Sequence, residues 1–221
     1  MKYTEIVFIL DASGSMAHLA GDTIGGFNGF IESQKALDGK ATVTTALFNS
    51  GWRFLHDGLD IQEIKPLTKT DYIAGGMTAM LDAIGEIINK VQERHDELGA
   101  EKPEETLFVI TTDGEENSSK KFTKAQIEKM IKHQTNGHGW KFMFLGANMD
   151  AVKEAENIGI SSNYAANYTY TAQGTSDIYT TLNCVAKSVR SSVLDDTFSL
   201  TDTYDACSNV DGATNHKLTI E

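Results

Sequence analysis

Two short, almost wholly apolar runs, each ending in an aspartate, restrict this chain to few folds. Residues 4–10 contain Ile6-Val7-Phe8-Ile9-Leu10 and lead into Asp11-Ala12-Ser13-Gly14-Ser15. Residues 105–111 contain Leu107-Phe108-Val109-Ile110 and lead into Thr112-Asp113-Gly114-Glu115-Glu116-Asn117. A strand with one wet face alternates apolar and polar residues, whereas a continuous apolar run belongs to a parallel strand covered by helices on both faces. Helical periodicity fills the intervals. Apolar stripes occur at Ile24, Phe27 and Ile31 (23–37), at Leu81, Ile84, Ile88 and Val91 (78–95), and at Ile127, Met130 and Ile131 (123–134). A short helix near 150–157 follows, and a last stripe, Ile178, Leu182, Val185, Val189 and Val193, covers 176–194. The fold class expected is α/β, doubly wound and Rossmann-like, with right-handed crossovers.

The other strands are 41–48 and 52–56, a hairpin around Asn49-Ser50-Gly51, then 140–145 and a short edge within 164–170. Gly25, Gly26 and Gly29 weaken the first helix, which then either starts late or packs its backbone closely on a neighbour. With 221 residues the chain reads as one domain over 1–195 and a polar arm over 196–221, which closes with a strand at 217–220. Trp52 and Trp140 are expected to pack on the sheet.

A formal net charge of -12 argues against nucleic acid or an anionic membrane as partner, because both demand clustered Lys and Arg. Cys184 and Cys207 show neither a Cys-x-x-Cys nor a Cys/His spacing, so neither a disulfide scaffold nor a zinc site is indicated. The apolar run near Met1 is too short for a signal-peptide core or a membrane span, and the expected location is cytoplasmic.

In parallel α/β sheets, ligands bind beyond the carboxyl ends of the strands where the strand order reverses. Asp11 and Asp113 each follow such an end, and Gly75-Gly76-Met77-Thr78 leads into a helix at the same edge. Asp11, Ser13, Ser15, Thr78 and Asp113 together offer an all-oxygen shell with two carboxylates, the ligand chemistry of Mg2+. Each piece also has an ordinary use: Asp-x-Ser-x-Ser occurs in turns, and Thr78 is suited to capping a helix.

These three stretches, in this order, resemble the metal-ion-dependent adhesion site of the von Willebrand factor type A family. The resemblance covers about residues 4–195 and is strongest to free-standing bacterial or phage members. It implies a sheet of about six strands with 52–56 as the antiparallel edge, and Mg2+ as cofactor, with Mn2+ or Ca2+ as alternatives. Ser13 and Ser15 would bind the ion directly, Thr78 directly or through water, and Asp11 and Asp113 mostly through waters or hydrogen bonds to the hydroxyls. The implied function is a non-enzymatic adhesion or assembly module whose cation takes an Asp or Glu carboxylate from a protein partner. Two alternatives stand beside it. One is a Mg2+-dependent phosphoryl-transfer enzyme with Asp11 as nucleophile, resembling haloacid-dehalogenase-like phosphatases, which need a second carboxylate where Ser13 stands. The other is a structural protein of the same fold with a vacant site. Glu115 and Glu116 read as a solvated loop and His18 as an exposed or capping histidine.

Overall fold

The computed structural model of the chain describes residues 1–194 and 198–200. Its strands are β1 (Thr4–Asp11), β2 (Ala41–Phe48), β3 (Trp52–Asp60), β4 (Glu105–Thr112), β5 (Lys141–Gly146) and β6 (Ala165–Asn167). They form one six-stranded sheet in the order β3-β2-β1-β4-β5-β6. Every neighbouring pair is parallel except β2 and β3. The helices are α1 (Ala20–Lys35), α2 (Met80–Leu98), α3 (Lys124–His138), α4 (Ala151–Asn157) and α5 (Ala172–Arg190).

The two faces of the sheet explain the continuous apolar runs. Ile6, Phe8 and Leu10 of β1 join Phe27 and Phe30 of α1 and Leu182 and Val185 of α5 in one cluster. Val7 and Ile9 join Ile84 and Ile88 of α2 and Ile127 of α3 in the other. All eight residues of β1 are buried, so neither parity of the strand can tolerate a solvated side chain. Phe8 meets Phe27 and Phe30 edge to face, with ring centroids 5.2 and 5.0 Å apart, a favoured aromatic geometry.

Several element ends differ from expectation for identifiable reasons. β3 runs on to Asp60 because register shifts after Val43 and Thr45 let it stay paired with β2. α5 begins at Ala172, well before its apolar stripe, because the Thr171 side chain accepts from Gly174 N and caps it. α1 starts early rather than late, and one of its glycines makes the close approach: a Cβ on Gly26 would lie 2.1 Å from the Tyr179 ring of α5. Gly26→Ala is therefore expected to cost about 1–3 kcal/mol, the usual range for overpacking. It would be read as a lower urea midpoint at unchanged slope; an unchanged midpoint would mean that the two helices separate freely.

Arg190, fully buried at the end of α5, fastens the other end of this helix pair. Its Nη1 donates to the Gln34 carbonyl at 2.6 Å and its Nη2 to the carbonyls of Asp38 and Gly39 at 3.0 and 3.1 Å. These are carbonyls at and just beyond the carboxyl end of α1, where a cation complements the helix dipole. Cys184 lies half-buried on α5. Of the expected arm only 198–200 are described, where Phe198 packs on Tyr164 with ring centroids 4.8 Å apart and Leu200 is buried in the cluster that holds α1 and α5. Cys207 and the expected strand at 217–220 lie outside the described residues.

Candidate metal centre

β1 and β4 are neighbours, yet the chain leaves them in opposite directions across the sheet, so their carboxyl ends open a crevice at the point of reversal. Asp11 ends β1 and Asp113 follows β4. Both are buried, at 0 and 5% exposure. Asp11 Oδ1 accepts from Ser13 N at 2.7 Å, and its Oδ2 accepts from the Thr112 hydroxyl at 2.6 Å. Both oxygens are thus engaged, and the first bond curls the chain so that Ser13 and Ser15 present their hydroxyls together. Ser13 Oγ lies 3.1 Å from Ser15 Oγ, and Ser15 Oγ donates to Asp113 Oδ1 at 2.7 Å. Burial raises the Asp11 carboxyl's pKa, the Thr112 and Ser13 hydrogen bonds pull it down, and the nearby charge of Asp113 adds to the rise.

Thr78 arrives from the second loop, between β3 and α2, and is also buried. It does not cap α2: that helix begins at Met80, its N-cap is Ala79, and no side chain of the cap residue bonds there. Gly114 shows what Thr78 does face, since a Cβ placed on that glycine would lie 3.8 Å from Thr78 Oγ1 and 3.9 Å from Ser15 Oγ. The first and second loops are stitched by Gly75 N to the Ala12 carbonyl (2.8 Å) and Gly14 N to the Gly76 carbonyl (3.1 Å). All five residues expected at the site therefore come to one edge of the sheet.

A brace that sequence reasoning missed joins the second loop to the third. Asn117 bonds Thr78 twice: its Oδ1 accepts from Thr78 N at 2.9 Å, and its N donates to the Thr78 carbonyl at 3.1 Å. The Glu116 carboxylate, expected in a solvated loop, instead accepts from Leu81 N at 2.9 Å in the first turn of α2. It also accepts from Ser118 N and Ser119 N at 2.8 and 2.7 Å. Asp82 answers from α2 by accepting from the amides of Lys120, Lys121 and Phe122 at 2.8, 2.8 and 2.9 Å. Each element thus holds the other's unpaired amides, which sets the spacing between Thr78 and Asp113. Glu115 is exposed.

Tyrosines complete the surroundings. Tyr72, buried, donates its hydroxyl to the Asp11 carbonyl. Tyr170 donates to the Ser15 carbonyl, and its hydroxyl lies 3.2 Å from His18 Nδ1, with the exposed His18 ring edge-on to it at 4.3 Å between centroids. Partial burial, then the nearby Asp113 carboxylate, raises the pKa of the Tyr170 phenol, which keeps it a neutral donor.

The donor set fits a hard divalent cation. Asp113 Oδ2 is a buried oxygen without a hydrogen-bond partner among the described residues. Such an orphan is costly unless something else satisfies it. Among the described residues no group of three or more His, Cys, Asp or Glu side chains could hold a metal; what converges here is two carboxylates supplemented by hydroxyls, an oxygen-only set.

Fold and site together define a Rossmann-like α/β domain with an oxygen-lined crevice at its strand reversal, the fold of von Willebrand factor type A structures. No protein-family model matches the sequence, and no curated protein matches it. Among solved structures, the chain is similar to von Willebrand factor type A from Catenulispora acidiphila (13% identity, TM-score 0.54, covering 82% of this chain and 42% of that one). It is similar to proximal thread matrix protein 1 from the mussel byssus with a zinc-occupied MIDAS motif (18%, TM-score 0.57, 84% and 46%). The pilus adhesin SpaC from Lactobacillus rhamnosus GG is a third (14%, TM-score 0.64, 83% and 30%). The chain thus spans less than half the length of each of these three structures. At such identities the likeness is one of fold.

Proposed function

We propose that this chain is a divalent-cation-dependent protein-binding module for adhesion or assembly, in which Asp11, Ser13, Ser15, Thr78 and Asp113 hold Mg2+. The observation that carries this reading is the unpartnered, buried Asp113 Oδ2 beside hydroxyls delivered by separate loops. Ser13, Ser15 and Thr78 would hold the ion through neutral oxygens, with Asp11 and Asp113 bracing the hydroxyls or bound waters. The cation, when bound, supplies a Lewis-acidic position for an Asp or Glu carboxylate of a partner protein. The zinc in the mussel protein's MIDAS motif supports the choice of a divalent ion. Asp11 is poorly placed as a phosphoryl nucleophile, since it is fully buried and both its oxygens already accept hydrogen bonds; this supports binding over catalysis. No helix among the described residues is long and apolar enough to cross a membrane.

Mg2+ or Mn2+ at a hundredfold excess over its dissociation constant should stabilise the fold by about 2.7 kcal/mol. Ser15→Ala should weaken that effect, and chelator should abolish both it and capture of the partner. Thermal unfolding with each ion checks the first expectation. Melting curves that no divalent ion shifts, in the unaltered chain, would reject the metal centre.

A further inference from the structure

Beside the metal turn lies a second feature that metal binding does not use, a pocket of about 400 Å3. It opens between the β2–β3 turn and the loop that carries Gly75. Leu47, Phe48, Trp52 and Ile73 supply apolar wall, and Ala12 closes it on the metal side. Ala12 is the residue between Asp11 and Ser13. Its N–H donates to the Phe48 carbonyl at 2.7 Å and its carbonyl accepts from Gly75 N at 2.8 Å, so pocket and metal turn share one fixed stretch of backbone.

We propose that this pocket takes a large aliphatic or aromatic side chain from the same partner segment that brings its carboxylate to the cation, an extension that rests on the protein-binding reading above. Ile73, on the pocket's lining, is 67% exposed, and Met77, one residue before Thr78, is 52% exposed. Large aliphatic side chains left in water on both sides of the Gly75-Gly76 turn have apolar surface to lose to a partner. Charge indicates what that partner carries. Arg53 is the one charged residue lining the pocket, in a chain of net charge -12, and its guanidinium is held in place by the Asp71 carbonyl. A fixed cation beside a cation-binding crevice selects an acidic segment and disfavours a basic one. The occupant is therefore an extended stretch of protein in which Asp or Glu stands within about three positions of Leu, Ile, Phe or Trp, a reach of at most about 10 Å.

A random peptide library displayed against the immobilised full chain in Mn2+, and eluted with chelator, tests this. The expected clones pair an acidic residue with a large apolar one at that spacing. In a synthetic peptide of that kind, replacing the apolar residue with Ser should weaken binding about tenfold. Ile73→Asp should weaken the parent peptide about as much and the Ser peptide hardly at all, the signature of direct contact in a double-mutant cycle. An undiminished Mn2+ thermal shift in Ile73→Asp shows that the variant is folded and its metal centre intact. Chelator-sensitive clones that share a carboxylate but no apolar neighbour would overturn the pocket and leave the metal-dependent reading standing. Apolar selection that persists in chelator and in Ser13→Ala would overturn the coupling of pocket to metal. The absence of any chelator-sensitive clone would overturn both.

Discussion

Glu5→Ala should destabilise the chain by about 3–5 kcal/mol, the usual consequence of removing one partner from a buried charged network. Glu5 lies on β1 with 1% of its residue surface exposed, at the opposite end of the strand from Asp11. It accepts from His95 Nε2 at 2.7 Å, from the Thr44 hydroxyl at 2.6 Å and from the Arg94 guanidinium. Arg94 is itself 21% exposed and also pairs with Asp57, so the lower half of the range is the better expectation. Burial pushes the Glu5 carboxyl up, but His95, Arg94 and Thr44 together outweigh it and bring the pKa below its ordinary 4.5. The folded chain therefore binds fewer protons here than the unfolded chain. The stabilisation is complete above the unfolded value and is lost as the pH falls through the lower folded value. Urea titrations across the acid range should show Glu5→Gln with a flatter loss of stability than the unaltered chain. Parallel curves for the two would remove Glu5 from the acid sensitivity of the fold.

That network was invisible in the sequence, and the reason is physical. The sequence marks 4–10 as a buried strand, yet nothing local to Glu5 reveals that Arg94 and His95 return to it from a helix. The apolar cores of β1 and β4 were legible because burial on both faces removes polar residues from both parities of the strand. The five candidate ligands were legible for a related reason: each sits where a periodic pattern stops at the same edge of the sheet. Tyr170 was not, since the stretch around it mixes Ser, Thr, Asn, Ala and Tyr without a period, and only the β6 pairing places it over Ser15. The apolar stripe places α5 four residues late, at 176–194 instead of Ala172–Arg190, and Val193, counted in the stripe, lies beyond the helix and is exposed. The start is missed because Ala172-Gln173-Gly174-Thr175 lacks large apolar residues, although Gly174 and Thr175 are buried. Small residues there allow close approach rather than announcing a buried face.

Glu116 marks the sharpest divergence, because an acidic loop residue looks the same in sequence whether water or backbone amides surround it. Glu116→Ala should cost about 2–4 kcal/mol, since hydrogen bonds to charged groups contribute about 1.5–3 kcal/mol each and do not add fully. The carboxylate serves three amides and the Ser119 hydroxyl, which donates to it at 2.7 Å. Glu115→Ala, at the exposed neighbour, should stay within about 0.5 kcal/mol. The consequence for function follows from position. Glu116 holds the first turn of α2 against the loop that carries Asp113, so its loss frees Thr78 to drift from Asp113 and Ser15. Mn2+ affinity should fall in Glu116→Ala and hold or weaken slightly in Glu115→Ala, where only a distant charge is removed. Calorimetric titration of both variants separates these effects: equal affinities would assign to Glu116 a purely electrostatic part, whereas a loss confined to Glu116→Ala makes the geometry of the Thr78 loop a condition of metal binding.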